Sequence, residues 1–170
     1  MELKAFVTNL GKYNEGVLCG QWVYFPIDED EFSEKILPDI GVDGKRYEEW
    51  FITDYECELD GVAEYLGEYP SLEDVNILAE AVESWDEDYA QAVVDVCGFD
   101  DIINYDENGF LFVEAESDAD IGEYYINETG MAADIPEWLI NYIDYEAYGR
   151  DVRLNSDGGL SSNGYFVERI

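Results

Sequence analysis

The chain has 170 residues, of which 42 are acidic and 8 are basic, and its formal net charge is −34. It contains no histidine, which excludes Ser–His–Asp and Cys–His triads and removes the commonest metal-binding side chain. Hydrophobic residues (47%) and aromatic residues (15%) are too abundant for a disordered acidic chain, which cannot bury enough apolar surface to fold. The composition therefore predicts a folded, strongly anionic protein.

The first 60 residues predict a small α+β unit with three strands and one helix. Patterns rich in β-branched and aromatic residues predict strands at 3–8, 17–25 and 47–56. Asp28 and Glu31 have the spacing of a helix cap, and the helix that they begin is expected to end at Pro38. The segment from Gly11 to Gly16 predicts a turn-rich loop.

Residues 61–103 predict helices. Ser71 is a favourable N-cap, and apolar residues from Val75 to Trp85 recur at helical spacing. A second helix is expected to begin at Asp86 and to end before Gly98, a typical C-cap residue. Acidic residues occupy its predicted outer face.

The remaining residues, 104–170, predict a second α+β part. Its expected elements are a strand at 110–115, a helix capped by Ser117, a short helix after Pro136, and a hairpin of strands 152–154 and 165–167. The sequence as a whole predicts an α+β protein with three small subdomains: a three-stranded sheet with a helix at 1–60, a helical acidic middle at 61–103, and a mixed sheet with helices at 104–170.

Charge is distributed unevenly along the chain. Between Tyr47 and Gly149 there are 30 acidic residues and no basic residue. Soluble surfaces usually mix both signs, and a field of one sign costs stability through self-repulsion. Adaptation for solubility or high salt is one explanation. The alternative is that the charge binds a partner.

The sequence gives little support for a nucleotide-binding, metal-binding or catalytic site. The sequence has no phosphate-binding glycine loop, and it predicts no catalytic residue, cofactor or metal site. Asn104-x-Asp106-x-Asn108-Gly109 resembles half of an EF-hand loop, but Ala115 stands where the loop needs a bidentate Glu. A turn that precedes a strand explains the segment more simply. A carboxylate enzyme with a divalent metal stays as an alternative, which tight stoichiometric metal binding and turnover would distinguish.

Features that report on compartment favour the cytoplasm. The cysteines Cys19, Cys57 and Cys97 are odd in number and far apart, as is typical of buried thiols in a reducing compartment. The N-terminus lacks the basic and apolar regions of a signal peptide, and no apolar run approaches the length of a membrane span.

B-DNA carries about one negative charge per 1.7 Å of axis, so 30 carboxylates match the phosphates of about 15 base pairs. A rigid protein that presents carboxylates in place of phosphates would occupy a DNA-binding groove without binding nucleic acid itself. An alternative partner is a histone-like or nucleoid protein. The candidate partner-binding acids lie on predicted outer faces: Glu87, Asp88, Asp95, Asp100, Asp101, Asp106, Glu107, Glu114, Glu116, Asp118, Asp120, Glu123 and Glu128.

Three stretches carry a family resemblance: Asn9-Leu10-Gly11-Lys12-Tyr13-Asn14-Glu15-Gly16 with Gly20, Trp22 and Phe25-Pro26-Ile27-Asp28; Asp120-Ile121-Gly122-Glu123-Tyr124-Tyr125-Ile126-Asn127-Glu128-Thr129-Gly130; and Asn141-Tyr142-Ile143-Asp144-Tyr145-Glu146-Ala147-Tyr148-Gly149-Arg150-Asp151. In these stretches the chain resembles the ArdA antirestriction proteins of conjugative plasmids and transposons. The resemblance implies a non-enzymatic DNA mimic that occupies the DNA-binding groove of type I restriction–modification enzymes. It also implies an elongated three-part protein that forms a homodimer through its C-terminal part.

The second stretch resembles the antirestriction motif of that family. The residues that match it are Asp120, Ile121, Glu123, Tyr124, Tyr125, Asn127, Glu128, Thr129 and Gly130. Because Ile121, Tyr124 and Tyr125 have helical spacing, packing in the core or at a dimer interface is as good an explanation as enzyme contact. Phe110, Phe112 and Tyr125 are the predicted dimer interface, with an internal position as the alternative.

Overall fold

A computed structural model describes residues 1–170, and the chain divides into two units, residues 1–87 and 88–170. Each unit has one three-stranded antiparallel sheet together with helices. The α+β class, with a sheet in both the N-terminal and the C-terminal part, is confirmed. The division into three subdomains stays a prediction.

The sheet of the first unit has the order β2-β1-β3, from strands β1 (Leu3–Asn9), β2 (Gly20–Phe25) and β3 (Trp50–Glu56). Alternation along β1 buries Leu3, Ala5 and Val7 on one face and turns Lys4 and Phe6 to the other. All three strands therefore form where the sequence predicts them, although the last two begin three residues later than expected.

The helices of the first unit are α1 (Leu10–Asn14), α2 (Glu29–Glu31), α3 (Leu37–Asp39), α4 (Val62–Leu66) and α5 (Leu72–Ser84). Ser71 and Asp74 form a complete capping box for α5, which buries Val75, Leu78, Ala79 and Val82 against the sheet. The predicted helical face of this segment is confirmed.

Two local predictions in this unit are wrong. The segment from Gly11 does not remain a loop throughout, because the Asn9 side chain accepts a hydrogen bond from the Lys12 backbone N–H at 2.9 Å and caps α1. The helix that begins after Asp28 does not end at Pro38. A π-helical turn, Phe32–Ile36, joins α2 to α3, and this wider turn lets the chain pass Pro38, which has no N–H to donate.

The second unit contains α6 (Glu87–Val96), α7 (Phe99–Asn104), β4 (Phe110–Glu114), α8 (Asp118–Asn127), α9 (Glu137–Ile140), α10 (Tyr145–Asn155), β5 (Gly158–Leu160) and β6 (Tyr165–Arg169). The boundary between the units falls in the first turn of α6. The strand order is β4-β6-β5, and Phe166 and Val167 of the central strand β6 are fully buried. The core cluster of Val113, Ala115, Ile121 and Phe166 joins this sheet to α8.

The terminal hairpin forms, but its first strand is not residues 152–154 as expected. Those residues belong to α10, which Asp144 begins by accepting a hydrogen bond from the Ala147 backbone at 2.9 Å. The strand that pairs with β6 is Gly158–Leu160. A glycine pair lacks strand propensity, so only the pairing with β6 makes this segment a strand.

Two further features concern the environment of the chain. None of its helices combines the length and apolarity that crossing a bilayer requires. Cys19, Cys57 and Cys97 are free thiols.

Candidate functional site

The structure distributes the predicted partner-binding acids over three levels of exposure. Most of them are exposed: Glu87, Asp88, Asp95, Asp100, Asp106, Glu114, Glu116, Glu123 and Glu128. Three are half-buried: Glu107, Asp118 and Asp120. Glu87 is the last residue of the first unit, and all the others belong to the second.

Asp101 is the exception, because it is 7% exposed and lies inside the second unit. Its carboxylate accepts a hydrogen bond from the Arg169 guanidinium, which also lies 3.4 Å from Asp157. The Arg169 guanidinium lies 5.6 Å from the centre of the Tyr105 ring. The prediction of an outer position for Asp101 is therefore wrong, because the first turn of α7 directs this side chain toward the end of β6.

Asp118 forms the other strong ion pair of this unit. Arg153 of α10 donates from Nε to Oδ1 at 2.6 Å and from Nη2 to Oδ2 at 3.0 Å, a bidentate geometry. The hydrogen bonds from Arg153 hold the pKa of Asp118 below its usual value. This pair ties α8 to α10, so Asp118 has a structural partner within the chain.

Each arginine of the second unit lies within 4.0 Å of a carboxylate. Arg153 and Arg169 are paired as described, and Arg150 lies 4.0 Å from Asp151. This unit contains 19 acidic residues and 3 basic residues. Since each arginine lies beside a carboxylate, the remaining acids give the surface of the unit a large excess of negative charge.

Hydrogen bonds hold several of these acids in fixed positions. Asp95 accepts from the Ser162 backbone at 2.8 Å, from the Ser162 hydroxyl and from Gln91. Burial raises the pKa of Asp95, but the hydrogen bonds from Ser162 and Gln91 outweigh this effect and lower it. Asn163 in the same turn donates to the Asp88 backbone carbonyl at 2.8 Å, so the β5–β6 turn is fixed against α6.

A second acidic group lies where β4 leads into α8. Asp120 accepts hydrogen bonds from the Ser117 hydroxyl at 2.7 Å and from the Glu116 backbone at 3.0 Å, and these bonds lower its pKa. An open pocket of about 410 Å³ is lined by Glu114, Ala115, Glu116, Asp120, Asn163, Gly164 and Tyr165. The site therefore has preset carboxylates, which lose little conformational freedom when a cationic partner binds.

The Asp120–Gly130 segment divides into inward and outward residues. Ile121 is fully buried, and Tyr124 and Tyr125 pack against the core cluster. The Tyr125 hydroxyl donates to Glu168, and burial together with this carboxylate raises the pKa of Tyr125. The exposed members are Glu123, Asn127, Glu128, Thr129 and Gly130. The packing explanation thus accounts for the apolar members of the segment.

The predicted dimer-interface residues are engaged within the unit. Phe110 is buried, and the Phe112 ring stacks on Tyr89 with centroids 4.3 Å apart. Four exposed apolar side chains lie in the segment between α8 and α10: Met131, Trp138, Leu139 and Tyr142. Three others of this unit, Tyr105, Leu154 and Ile170, are exposed elsewhere in the chain. The sequence signal for Trp138 and Leu139 was the apolar run Trp138-Leu139-Ile140 of α9.

The EF-hand-like segment is a capped turn. Asp106 accepts a hydrogen bond from the Asn108 backbone at 2.9 Å and begins the 3-10 turn Glu107–Gly109, which leads into β4. The prediction of a turn before a strand is confirmed. No group of three or more Cys, Asp or Glu side chains has the arrangement of a metal site.

Comparison with known protein families identifies the family of the chain. The family model described as antirestriction protein (ArdA) matches residues 5–167, nearly the whole chain. No curated protein matches the chain.

Proposed function

Because the chain belongs to the ArdA family of antirestriction proteins, we propose that it inhibits type I restriction–modification enzymes by occupying their DNA-binding groove. One observation carries this proposal. In the second unit every arginine lies beside a carboxylate, while the exposed acids of α6, β4 and α8 belong to a stretch of sequence that contains no Lys or Arg. Such a surface presents a large excess of negative charge, as the DNA backbone does.

Helix geometry supports a surface that combines several elements. Asp88 and Asp95 lie on one face of α6, seven residues apart, which corresponds to about 10 Å along the helix axis. One DNA strand presents about three phosphates over that length. A single helix is therefore too sparsely charged, and carboxylates from β4 and α8 are needed to approach the charge density of DNA.

The proposed inhibitor acts without catalysis. Carboxylates reproduce the charge of phosphates but not the edges of bases, so the protein would be bound through contacts that position DNA rather than through those that read sequence. Inhibition would then extend to enzymes with different recognition sequences. The chain itself would not bind nucleic acid, because like charges repel.

We further propose that two copies associate through the exposed apolar side chains between α8 and α10, which are Met131, Trp138, Leu139 and Tyr142. Exposed aromatic side chains such as Trp138 and Tyr142 are typical of protein interfaces. A two-fold dimer would present two equal acidic surfaces to an enzyme that grips two halves of its site.

A competition experiment tests the mechanism. A type I methyltransferase core is bound to labelled DNA and titrated with the protein at two salt concentrations. We expect stoichiometric displacement of DNA that weakens as salt rises, since both complexes depend on ion pairs. An enzyme that stays on DNA throughout would assign the acidic surface to another DNA-binding partner, such as a nucleoid protein.

A matched pair of variants locates the surface. The first replaces Glu114, Glu116, Glu123 and Glu128 by Gln, and the second replaces Glu29, Asp30, Glu34 and Asp39 by their amides. Both sets are exposed and both remove four charges. We expect the first variant to lose inhibition by at least about tenfold and the second to lose much less. Equal losses would show that net charge matters and the proposed surface does not.

A further inference from the structure

The outer face of the first sheet carries exposed aromatic side chains. Trp22 and Tyr24 of β2 are 41% and 59% exposed. Register places Trp22 opposite Phe6 and Tyr24 opposite Lys4 of β1, so the four side chains form two neighbouring cross-strand pairs. The opposite face of the sheet is the buried one, with α5 packed against it.

Local packing fixes this face in shape. The Phe6 and Trp22 rings meet edge to face with centroids 5.5 Å apart. Gly20 leaves the space that the Phe6 ring needs, because a Cβ there would come within 2.7 Å of the ring. The aromatic pair is therefore held in place before any partner binds.

A cation already lies beside these rings. Lys4 Nζ is 5.6 Å from the centre of the Trp22 ring and 5.8 Å from that of Tyr24. It also lies 2.8 Å from a Glu56 carboxylate oxygen. The rings thus present π surface to positive charge, and the Lys4 charge is itself neutralised.

Carboxylates lie across β1 from the aromatic pair, because Lys4 pairs with Tyr24 on one side and with Glu56 on the other. A cavity of about 240 Å³ beside Lys4 is lined by Glu2, Lys4, Glu56, Cys57 and Glu58. Asp54 pairs with Phe6 across the strands and is exposed. Lys4 is the one basic residue of this face, so the face keeps a negative charge after the Lys4–Glu56 pair is counted.

We infer that the outer face of the first sheet docks an arginine-bearing protein surface. Guanidinium groups would stack on Trp22 and Tyr24 and pair with Glu2, Asp54 and Glu58. Arginine fits better than lysine, because its planar group stacks on rings and forms bidentate bonds with carboxylates. The carboxylates of the same face repel phosphates, which disfavours nucleic acid as the occupant.

That the partner is a restriction enzyme rests on the proposed function. That the sheet face binds arginine side chains follows from its rings and carboxylates and does not depend on that function. Arginines that line a DNA-binding groove would find two kinds of contact on this protein. Acids of the second unit imitate phosphates, whereas the sheet face offers aromatic stacking that depends less on salt. This second contact would add affinity that charge alone does not supply.

The first experiment removes both rings without changing charge. The Trp22→Ala/Tyr24→Ala variant keeps the net charge of −34. We expect it to need at least about tenfold more protein to displace DNA from the enzyme, with an unchanged dependence on salt. Tyr65→Ala, at a tyrosine of α4 that is 42% exposed, is the control and should act as wild type. The single variant Trp22→Phe keeps an aromatic ring at this position. If it is folded, it should inhibit better than the double alanine variant and less well than wild type.

The second experiment needs no restriction enzyme. Calorimetry compares short arginine and lysine peptides of equal length and charge, with wild type and with the double variant. We expect wild type to prefer the arginine peptide several-fold and the variant to lose that preference. If wild type fails to displace DNA yet keeps this preference, the proposed function is wrong and the docking face stands. Equal binding of both peptides, or a folded double variant that inhibits as wild type does, would overturn the docking face.

Discussion

Gly122 of α8 and Gly149 of α10 bring the backbones of the two helices into direct contact. A Cβ on Gly149 would overlap the carbonyl oxygen of Asp118, and a Cβ on Gly122 would overlap that of Tyr145. Both glycines are buried. The two helices that carry the second and third family stretches are thus packed more closely than any other residue type permits.

Replacement of Gly149 by Ala tests this contact. In an open helix the change would stabilise the protein by about 1 kcal/mol, because Ala is the better helix former. Here we expect the free energy of unfolding to fall by about 1–3 kcal/mol, since the added methyl has no space. Urea unfolding followed by circular dichroism measures the change. An increase in the free energy of unfolding would mean that the helices do not touch at Gly149.

The ion pair between Asp118 and Arg153 predicts a pH dependence. Because the pKa of Asp118 lies below its ordinary value of 3.8 in the folded state, the unfolded chain binds more protons between these two values. The stability from this pair is therefore complete above the ordinary value and is lost as pH falls through the lowered pKa. We expect Asp118→Asn to destabilise the protein by about 1 kcal/mol at neutral pH and not in strong acid.

Unfolding curves of wild type and Asp118→Asn across the acidic range measure that difference. Asp151→Asn is the matched control, because its carboxylate is exposed and lies 4.0 Å from Arg150. The control should cost little at any pH. A cost of Asp118→Asn that is independent of pH would show that the lost contact is not an ion pair.

Asp100 and Asp101 are neighbours that should behave differently. Asp100 is exposed, whereas Asp101 is buried and bonded to Arg169. We expect Asp101→Asn to lower the melting temperature by several degrees and Asp100→Asn to leave it nearly unchanged. Calorimetric melting of both variants distinguishes them. In the competition assay neither variant should lose more than about twofold while folded, since the charge is spread over many acids. Loss of all inhibition from one such change would contradict the mimic proposal.

Added salt should stabilise the free protein. With a net charge of −34, self-repulsion opposes folding, and ions that screen it at a Debye length of about 10 Å in 0.1 M salt relieve that opposition. We expect the melting temperature to rise from low to moderate salt, equally with sodium and tetramethylammonium chloride. A rise with sodium alone would indicate specific ion binding, and a flat curve would show that the acids are too dispersed to repel.

The proposed dimer is tested by two contrasting variants. Trp138→Ser/Tyr142→Ser removes exposed apolar area and should give a monomer of normal stability in sedimentation experiments. Phe112→Ala removes a ring that stacks on Tyr89, and should lower stability without changing the stoichiometry. A Phe112→Ala variant that is monomeric and stable would place the interface at Phe110, Phe112 and Tyr125, the residues predicted from the sequence.

Local signals in the sequence predicted most elements of the fold well. The capping residues Ser71 and Ser117 begin helices where expected, and Asn108-Gly109 leads into a strand. The failures occur where contacts outweigh local propensity. Residues 152–154 have strand-like side chains but are helical, since α10 packs against α8 through Gly149. Similarly, Gly158 and Gly159 form a strand only because β6 pairs with them.

The amino-acid sequence by itself determined the sign and the imbalance of the charge, the exclusion of histidine chemistry, the α+β class and the family resemblance. These follow from composition and from residues close together in the chain. The tertiary structure decided which acids face outward and which are neutralised. Asp101 and Arg169 are in contact although they are 68 residues apart in the sequence, and Asp118 and Arg153 although they are 35 residues apart. Burial and pairing of this kind depend on contacts between distant segments, which no local pattern encodes.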